Sequence, residues 1–477
     1  MTMLLDDLSG RPSSDDEDRD PHKVHFNPPV FTLWKGRFVI RLSFIRYVTF
    51  TIIGISLLWP WNAFLSASAY YGERFANSPK LVKVYSSTMM SVSTVTSTLY
   101  NYYLSQSQTG VSYNHRLNLG LGITIAIFVI MAILSISETF ISMGDESFFT
   151  MLMLMVFVSS LATCLAQNGT MAIVNVLGGV FANGVMVGQA IAGVLPSIAL
   201  ILSILLVEHA NLKKGDGDDD PQYQPVEKNY GVFIYYITAS IIATISMLLF
   251  YCINYFELET NYSALHINDD DTEAVAASNL YMETEIEDGA EEEIVQKAHV
   301  PFGLLWSKLK LIVMTIFFTF SITLIFPVFA STVTSIHKDE SKHVFFQNSI
   351  YIPFIYLIWN LGDLTGRILC GYRFFIITNP RLLIFYSLCR ILFVPLFLTC
   401  NINGNGAVMK SDFWYIFLQL VFGVSNGQLC TSSFMIIRDY CDTDDEKEAA
   451  GGFSTVFLSV GLAVGSLFSY LLVAAIS

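Results

Sequence analysis

The chain has 477 residues, of which 53% are hydrophobic and only 14% are charged, and its formal net charge is −14. Soluble domains carry about 25% charged residues, so the composition excludes a string of ordinary soluble domains. The excess of acidic residues argues against a nucleic-acid-binding protein, because the phosphate backbone attracts basic surfaces. The composition therefore predicts a protein that is embedded in the lipid bilayer.

Most of the negative charge lies in three polar segments. Residues 1–46, 208–231 and 255–308 contain 7, 6 and 13 acidic side chains, which together are 26 of the 40 in the chain. Such segments bury too little apolar surface to offset the entropy of folding. We expect a disordered acidic cytosolic tail over 1–43 and an acidic cytosolic loop over 255–308.

Cysteine and histidine give no sign of a disulfide framework or a metal site. All seven cysteines lie in or beside apolar runs, and none pairs up in a polar loop. The eight histidines lie outside the apolar runs and show no metal-ligand spacing. The sequence also lacks a recognisable nucleophile–base set, so we expect neither an enzyme nor a bound metal ion or cofactor.

Eleven apolar runs are long enough to cross a membrane, which takes about 20 residues in a helix. They cover 44–65, 84–104, 117–137, 149–174, 180–207, 232–254, 309–331, 350–375, 382–400, 413–437 and 452–475. The long loop separates six spans from five, which is the plan of a two-bundle transporter. The predicted fold class is an all-α polytopic membrane protein with an N-terminal bundle over 44–254 and a C-terminal bundle over 309–477.

The distribution of basic residues predicts the orientation. Four of them, from Lys35 to Arg46, crowd the entry to the first span, and short basic segments stay in the cytosol. Residues 1–33 are polar and do not resemble a cleavable signal peptide, so we expect the first span to act as its own insertion signal. The N-terminus is then cytosolic, the C-terminus is lumenal or extracellular, and the sequon at Asn261 should stay unglycosylated.

One acidic side chain lies well inside an apolar run, where a charge costs roughly 2.5–3.5 kcal/mol on insertion scales. Asp363 is near the midpoint of span 350–375, and Asn360 and Arg367 share its helix face. The first interpretation is substrate contact or gating at the membrane midplane. The alternatives are a structural ion pair, or a latch like the Gly-x-x-x-Asp-x-x-Gly-Arg pattern at cytosolic span ends of major facilitator proteins.

Two other spans carry side chains that suit a flat, hydrogen-bonding solute. In the first span, Pro60 bends the helix, and Trp61 and Asn62 offer a ring face and an amide. The alternative for this stretch is an interfacial aromatic anchor. In the fourth span, the Gln167 amide either bonds a neighbouring helix or faces a ligand.

Small residues recur at four-residue spacing in several spans. This pattern predicts close helix packing. The pairs are Gly184 and Gly188, Gly362 and Gly366, Gly423 and Gly427, and Gly461 and Gly465.

In combination, these motifs resemble the equilibrative nucleoside transporters. The resemblance covers roughly 44–254 and 309–477, and it includes the six-plus-five plan with a long central loop. The motifs that carry it are Pro60-Trp61-Asn62, Asn360-x-x-Asp363-x-x-x-Arg367, Ser425-Asn426-Gly427 and Gly461-Leu462-Ala463-Val464-Gly465. The stretch Met186-Val187-Gly188-Gln189 is similar to the fungal branch, whose members include vacuolar transporters.

The resemblance implies a major-facilitator-like fold that moves nucleosides, with nucleobases as a further substrate class, by alternating access around a midplane site. Trp61 would line the base site and Gln167 would bond the base. Asp363 and Asn360 would meet the polar edge of the base or ribose, while Arg367 would pair with Asp363 and contact the substrate. With Asn62 these form the predicted binding set, and the predicted cavity or gate positions are Leu65, Arg116, Gln189, Asn426 and Leu462.

We expect the transporter to work as a monomer, with the nucleoside and the lipid bilayer as its partners. The fungal resemblance favours the vacuolar membrane over the plasma membrane. The competing hypothesis is a major-facilitator-like transporter of another small neutral solute, in which Asp363 and Arg367 form a structural latch.

Overall fold

The computed structural model describes residues 29–33, 38–138, 142–214, 230–267, 299–338, 344–404 and 406–476. Most of the predicted acidic tail therefore lies outside the described residues. The same holds for most of the predicted cytosolic loop, over 268–298. The described chain is mainly helical, which confirms the predicted class of a helical membrane protein.

The described helices fall into two sets on either side of the long loop. The first set is α1 Leu42–Ser66, α2 Ser68–Arg74, α3 Pro79–Gln106, α4 Tyr113–Ile136, α5 Asp145–Leu177, α6 Gly179–Lys214 and α7 Tyr230–Ile267. The second set is α8 Phe302–Thr323, α9 Ile325–Thr332, α10 Asn348–Leu369, α11 Pro380–Cys389, α12 Phe393–Phe397, α13 Asp412–Ile436 and α14 Asp444–Ile476. We call α1–α7 the N-terminal half and α8–α14 the C-terminal half.

A short β-hairpin precedes the first span. Strands β1 Pro29–Leu33 and β2 Phe38–Arg41 pair in antiparallel register, with Phe31 opposite Ile40 and Leu33 opposite Phe38. The expectation of a disordered tail over 1–43 is wrong for these two strands. The expectation of disorder rested on acidic residues, and these lie earlier in the tail. The two strands instead contain branched and aromatic side chains, which favour strands.

Nine helical stretches of the described chain are long and apolar enough to cross a membrane. Helices α3 and α10 have 28 and 22 residues, but they do not belong to that set. Helix α3 is rich in Ser and Thr, and α10 contains Asn360, Asp363 and Arg367, so polar side chains lower their hydropathy. The count of eleven spans stays a prediction, while the polytopic membrane fold is confirmed.

The helices of each half pack on one another, and one apolar cluster is shared between the halves. In the N-terminal half, α1 packs on α6 and α7, α4 on α5 and α7, and α3 on α5. In the C-terminal half, α10 packs on α13, and α8 packs on α11, α13 and α14. The halves meet along two seams, one between α6 and the pair α10 and α13, and the other between α14 and the pair α3 and α5.

The predicted small-residue faces are contact surfaces. A Cβ on Gly188 would overlap the Thr51 carbonyl of α1, and one on Gly427 would overlap the Asp363 carbonyl of α10. The lack of a side chain at these positions lets the two backbones approach closely. The structural interpretation of the glycine pairs is therefore confirmed at α6 and α13.

Two of the predicted spans are interrupted helices. Span 309–331 consists of α8 and α9, which meet at Leu324, and span 382–400 contains a 3₁₀ turn over Arg390–Leu392 between α11 and α12. Pro327 and Pro395 lie just after these breaks, where the lack of an N–H removes one helical hydrogen bond. Backbone carbonyls near each break are thus free to accept bonds from side chains.

Candidate functional site

The Asp363 motif lies closer to a helix end than the sequence indicated. Helix α10 ends at Leu369, and the chain turns before the 3₁₀ segment Arg373–Phe375. Arg367 is therefore in the last turn of α10. The midpoint placement was wrong because the apolar run continues past the end of the helix.

Asp363 and Arg367 form a buried ion pair within α10. Arg367 Nε lies 2.9 Å from Asp363 Oδ2. The two residues are 4% and 6% exposed, so little water competes for the pair. Their adjacency on one helix face, predicted from the i, i+4 spacing, is confirmed.

The second carboxylate oxygen of Asp363 bonds to α13. Asn426 Nδ2 donates to Asp363 Oδ1 over 2.7 Å, and Asn426 is 2% exposed. Both oxygens of Asp363 therefore have protein donors in this conformation. Asn426 is a partner of Asp363, and it belongs to the packed interior of the C-terminal half.

Helix α6 provides the other side of the contact. Arg367 Nη1 donates to the Met186 carbonyl over 2.9 Å, and the Gln189 side-chain oxygen lies 3.5 Å from the same nitrogen. Asn183 Nδ2 donates to the Arg367 carbonyl over 2.8 Å. We call the contacts of Arg367 with Asn183, Met186 and Gln189, together with its ion pair to Asp363, the α6–α10 latch.

Asn360 extends the same seam toward the middle of the helices. Its Nδ2 donates to Ser197 Oγ of α6 over 3.0 Å, and its side chain is half-buried. A Cβ on Gly193 would lie 2.8 Å from Asn360 Oδ1, so the Asn360 side chain would have to shift if this glycine were replaced. Asn360 therefore bridges the two halves, one turn from Asp363.

The second seam joins the halves through α14. Asn101 Nδ2 of α3 donates to Ser459 Oγ over 2.6 Å, and Asn175 Nδ2 of α5 donates to the Lys447 carbonyl over 3.1 Å. The α6–α10 latch and the Asn175 bond lie near the end of the bundle where α6 and α14 begin and α10 ends, whereas Ser459 is near the middle of α14. The halves are thus joined near the end that carries the loop between them, which we call the closed end.

The first-span residues lie inside the N-terminal half. Trp61 is half-buried and packs on an apolar cluster of this half, and Asn62 Nδ2 donates to the Ala192 carbonyl of α6 over 2.7 Å. Asn62 thus already has a partner within the protein. Leu65, one turn further on, is 40% exposed.

Gln167 differs from its polar neighbours on α5. It is half-buried, and its amide has no hydrogen-bond partner among the residues that the structure describes. The adjacent Asn168 is buried and accepts a bond from Arg116. A bond from Gln167 to a neighbouring helix is thus not seen among the described residues, and its contact with a ligand stays a prediction. Leu462 of α14 is also half-buried.

Arg116 lies in a closed end of the bundle instead of a cavity. It is 5% exposed, and its Nη1 donates to Asn168 Oδ1 over 2.6 Å and to the Leu104 carbonyl over 3.2 Å. It also donates to the Ser107 carbonyl. These bonds tie the end of α3 to α4 and α5, so Arg116 fastens this end of the N-terminal half.

Several residues of this network were not predicted as site residues. Arg390 is 1% exposed, and its Nη1 donates to Thr323 Oγ1 over 3.1 Å and to the Thr319 carbonyl over 2.9 Å. The Thr323 hydroxyl in turn lies 2.5 Å from Asn426 Oδ1. Arg390 could have been recognised from the sequence, because it is a charged residue inside an apolar run. Asn183, Met186 and Thr323 have no such distinguishing feature.

The architecture is similar to that of two solved membrane proteins. The proton:xylose symporter XylE superimposes with a TM-score of 0.55 at 11% identity, covering 91% of this chain and 90% of that one. The human organic anion transporter MFSD10 superimposes with a TM-score of 0.54 at 12% identity, covering 90% and 94%. The fold is thus major-facilitator-like, a plan that suits alternating access.

The sequence comparisons narrow this class to one family. A family model described as nucleoside transporter matches residues 152–474. The nucleoside transporter FUN26 of Saccharomyces cerevisiae is 37% identical over 466 residues, which cover 91% of this chain and 85% of that protein. Human equilibrative nucleoside transporter 2 is 25% identical over 456 residues, which cover 89% and 96%. The chain belongs to the nucleoside transporter family, and it is a transporter and not an enzyme.

Proposed function

We propose that this protein carries nucleosides, with nucleobases as a further substrate class, by alternating access between its two halves. The observation that carries the proposal is the Gln167 amide, which has no partner among the described residues, in a chain that belongs to the nucleoside transporter family. A purine or pyrimidine presents donors and acceptors that match an amide. Trp61, on α1, supplies a ring face on which every base can stack.

The α6–α10 latch has a different role in this proposal. Asp363 is buried, and both of its oxygens accept bonds from protein groups. Such a carboxylate has no free oxygen for a solute in this conformation. Asp363 and Arg367 therefore close one end of the transporter, while Asn360, which is half-buried between α6 and α10, is placed to contact the substrate.

The uptake experiment uses purified protein in vesicles and radiolabelled adenosine and uridine. Gln167→Ala should raise the KM for both nucleosides about tenfold, because one hydrogen bond contributes about 1 kcal/mol and a charged or buried one somewhat more. Gln428→Ala is the matched control, since the Gln428 amide is on the C-terminal half and bonds the Phe375 carbonyl. An unchanged KM for Gln167→Ala would remove Gln167 from the site.

Competition decides between the proposed substrate and the second candidate, another small neutral solute. Excess unlabelled nucleosides should abolish uptake, while sugars and amino acids should leave it unchanged. The likeness to XylE concerns the fold alone, so inhibition by a pentose would be needed to support a sugar as the substrate. Such inhibition, with no effect of nucleosides, would overturn the proposal.

We propose that the N-terminus is cytosolic, that the C-terminus is lumenal or extracellular, and that the protein works as a monomer in the vacuolar membrane. The orientation is supported by the basic residues before α1, and the vacuolar membrane by the resemblance of Met186-Val187-Gly188-Gln189 to the fungal branch of the family. The sequon Asn261-Tyr262-Ser263 is then cytosolic and should carry no glycan. A mobility shift on deglycosylation would contradict this orientation, and imaging of a tagged chain tests the membrane of residence.

A further inference from the structure

Arg390 is a buried cation that makes no contact within the α6–α10 latch, so its presence in the membrane needs another reason. It lies in the 3₁₀ turn between α11 and α12, is 1% exposed, and forms no ion pair among the described residues. Its guanidinium covers the Phe422 ring with 4.4 Å from Cζ to the ring centroid. A charge in a membrane span is costly and is kept for a role.

A directional chain of hydrogen bonds connects Arg390 to Asp363. Arg390 Nη1 donates to Thr323 Oγ1 over 3.1 Å. The Thr323 hydroxyl lies 2.5 Å from Asn426 Oδ1 and 2.6 Å from the Thr319 carbonyl, so its single hydrogen has two acceptors within reach. Asn426 Nδ2 then donates to Asp363 Oδ1 over 2.7 Å. The direction is fixed at both ends, because a guanidinium only donates and a carboxylate only accepts. Asn426 must therefore turn its NH₂ toward Asp363 and its oxygen toward Thr323.

The chain continues across the seam to the other half. Asp363 Oδ2 accepts from Arg367 Nε over 2.9 Å, and Arg367 Nη1 donates to the Met186 carbonyl of α6 over 2.9 Å. One carboxylate thus lies between two arginines, one on each side. Thr323 is the last residue of α8, beside the break at Leu324, so the chain links that break to α6.

We propose that Arg390 is a positioning residue for the α6–α10 latch, and that it acts through Thr323 and Asn426 to fix the Asp363 carboxylate that orients Arg367 toward α6. The inference rests on the proposed alternating-access function. Without Arg390, the Thr323 hydroxyl is no longer oriented and can donate to the Thr319 carbonyl, 2.6 Å away, in place of Asn426. Asn426 then loses the bond that fixes its oxygen, and it holds the Asp363 carboxylate less firmly. The latch then opens more often, although no residue of the seam has been changed.

A pair of hydroxyl variants separates this role from a merely structural one. Thr323 and Ser425 both bond Arg390, the latter by accepting from Nε over 3.1 Å, but Thr323 alone is in the chain to Asp363. Thr323→Val should therefore reproduce the effect of Arg390→Gln, and Thr323→Ser should restore the native behaviour. Ser425→Ala should have a much smaller effect.

The readout is the accessibility of a cysteine at the seam. The reporter is Ser197→Cys, at the position that bonds Asn360. The exposed Cys252 and the half-buried Cys389 are replaced by serine so that they do not react. The rate of modification by a small thiol reagent should rise about tenfold in Arg390→Gln and in Thr323→Val. This readout needs no substrate, so it stays valid if the protein proves to carry another solute.

A double-mutant cycle completes the test. If Arg390 acts through Asp363, the modification rate of Arg390→Gln combined with Asp363→Asn should equal that of Asp363→Asn alone. Multiplied effects in the double variant, or equal effects of Thr323→Val and Ser425→Ala, would overturn the proposal. An unchanged rate in Arg390→Gln would do so as well, provided that the amount of folded protein matches the parent.

Discussion

At the scale of single residues, Asp363 holds together groups from three helices. It accepts from Arg367 on its own helix and from Asn426 on α13, and through Arg367 it connects to α6. Removing one partner of a buried ion pair costs about 3–5 kcal/mol, because the other charge is left without compensation. The site therefore depends on the charge of Asp363 as well as on its size.

Asp363→Asn keeps the shape of the side chain and removes its charge. We expect uptake per molecule in the membrane to fall at least tenfold, because Arg367 is then buried without a counter-charge. Thr365→Val is the control on the same helix, since Thr365 is exposed and its hydroxyl bonds back to the Leu361 carbonyl. Radiolabelled uptake, corrected for surface protein, measures both. Parental uptake by Asp363→Asn would show that the pair is dispensable.

The sequence predicted Asp363 and Arg367 well and their partners poorly. A charge in an apolar run is conspicuous, and the i, i+4 spacing places the two side chains on one face. Asn426 was placed among the gate residues through family resemblance. Met186 contributes a backbone carbonyl and Thr323 a hydroxyl, and neither group is distinctive in a sequence, because its role depends on which helices meet.

At the scale of helices, the contact between α10 and α13 depends on glycine. A Cβ on Gly427 would overlap the Asp363 carbonyl, whereas a Cβ on Gly122 of α4 would meet no atom within 4 Å. The same substitution therefore has opposite expected effects at the two positions.

Gly427→Ala should destabilise the fold by about 1–3 kcal/mol, which is the usual cost of overpacking a tight contact. Gly122→Ala should be neutral or slightly stabilising, because alanine favours a helix over glycine by up to about 1 kcal/mol. Thermal unfolding of the detergent-purified proteins, followed by size-exclusion chromatography, compares them. A Gly427→Ala protein as stable as Gly122→Ala would show that the helices can separate at no cost.

Helix ends were harder to predict than helices. The apolar run after Arg367 reads as continuous helix, yet α10 ends at Leu369 and a turn follows at Gly371. An apolar residue favours burial in lipid or protein, whether it lies in a helix or in a turn, so hydropathy does not locate the boundary. This small difference moves the motif from the middle of the span toward its end.

At the scale of the whole molecule, transport requires the closed end to open. Asn101 and Ser459 connect α3 to α14 across the two halves, whereas Ser93 and Ser160 connect α3 to α5 within one half. The side-chain atoms of the two pairs are 2.6 Å and 3.1 Å apart. Cysteines at these positions give cross-links that differ in whether they join the halves.

Oxidation of the Asn101→Cys, Ser459→Cys protein should stop uptake, and reduction should restore it. Oxidation of the Ser93→Cys, Ser160→Cys protein should leave most uptake intact, because both residues move together in the N-terminal half. Gel mobility after proteolysis confirms that each disulfide has formed. Full uptake by the fully cross-linked first pair would contradict separation of the halves along this seam.

The native thiols interfere little with such experiments. Burial raises the pKa of the Cys441 thiol, which lies outside the spans, to about 12, so it stays protonated and slow to react at neutral pH. Cys164, Cys370, Cys400 and Cys430 are buried. Cys252 is exposed and Cys389 is half-buried. Replacing these two by serine therefore gives a suitable background.

The low hydropathy of α3 and α10 also has a consequence for how the protein is made. A helix that carries Asp363 and Arg367 gains little free energy by entering lipid alone. Asn426 of α13 bonds Asp363 directly, but it is synthesised some 60 residues later. During synthesis α10 must therefore wait beside the translocation machinery, or at the bilayer surface, until α13 emerges. In a ribosome-bound chain that ends before α13, a cysteine placed in α10 should react with a water-soluble thiol reagent. The same cysteine should be protected once the chain is long enough for α13 to have left the ribosome.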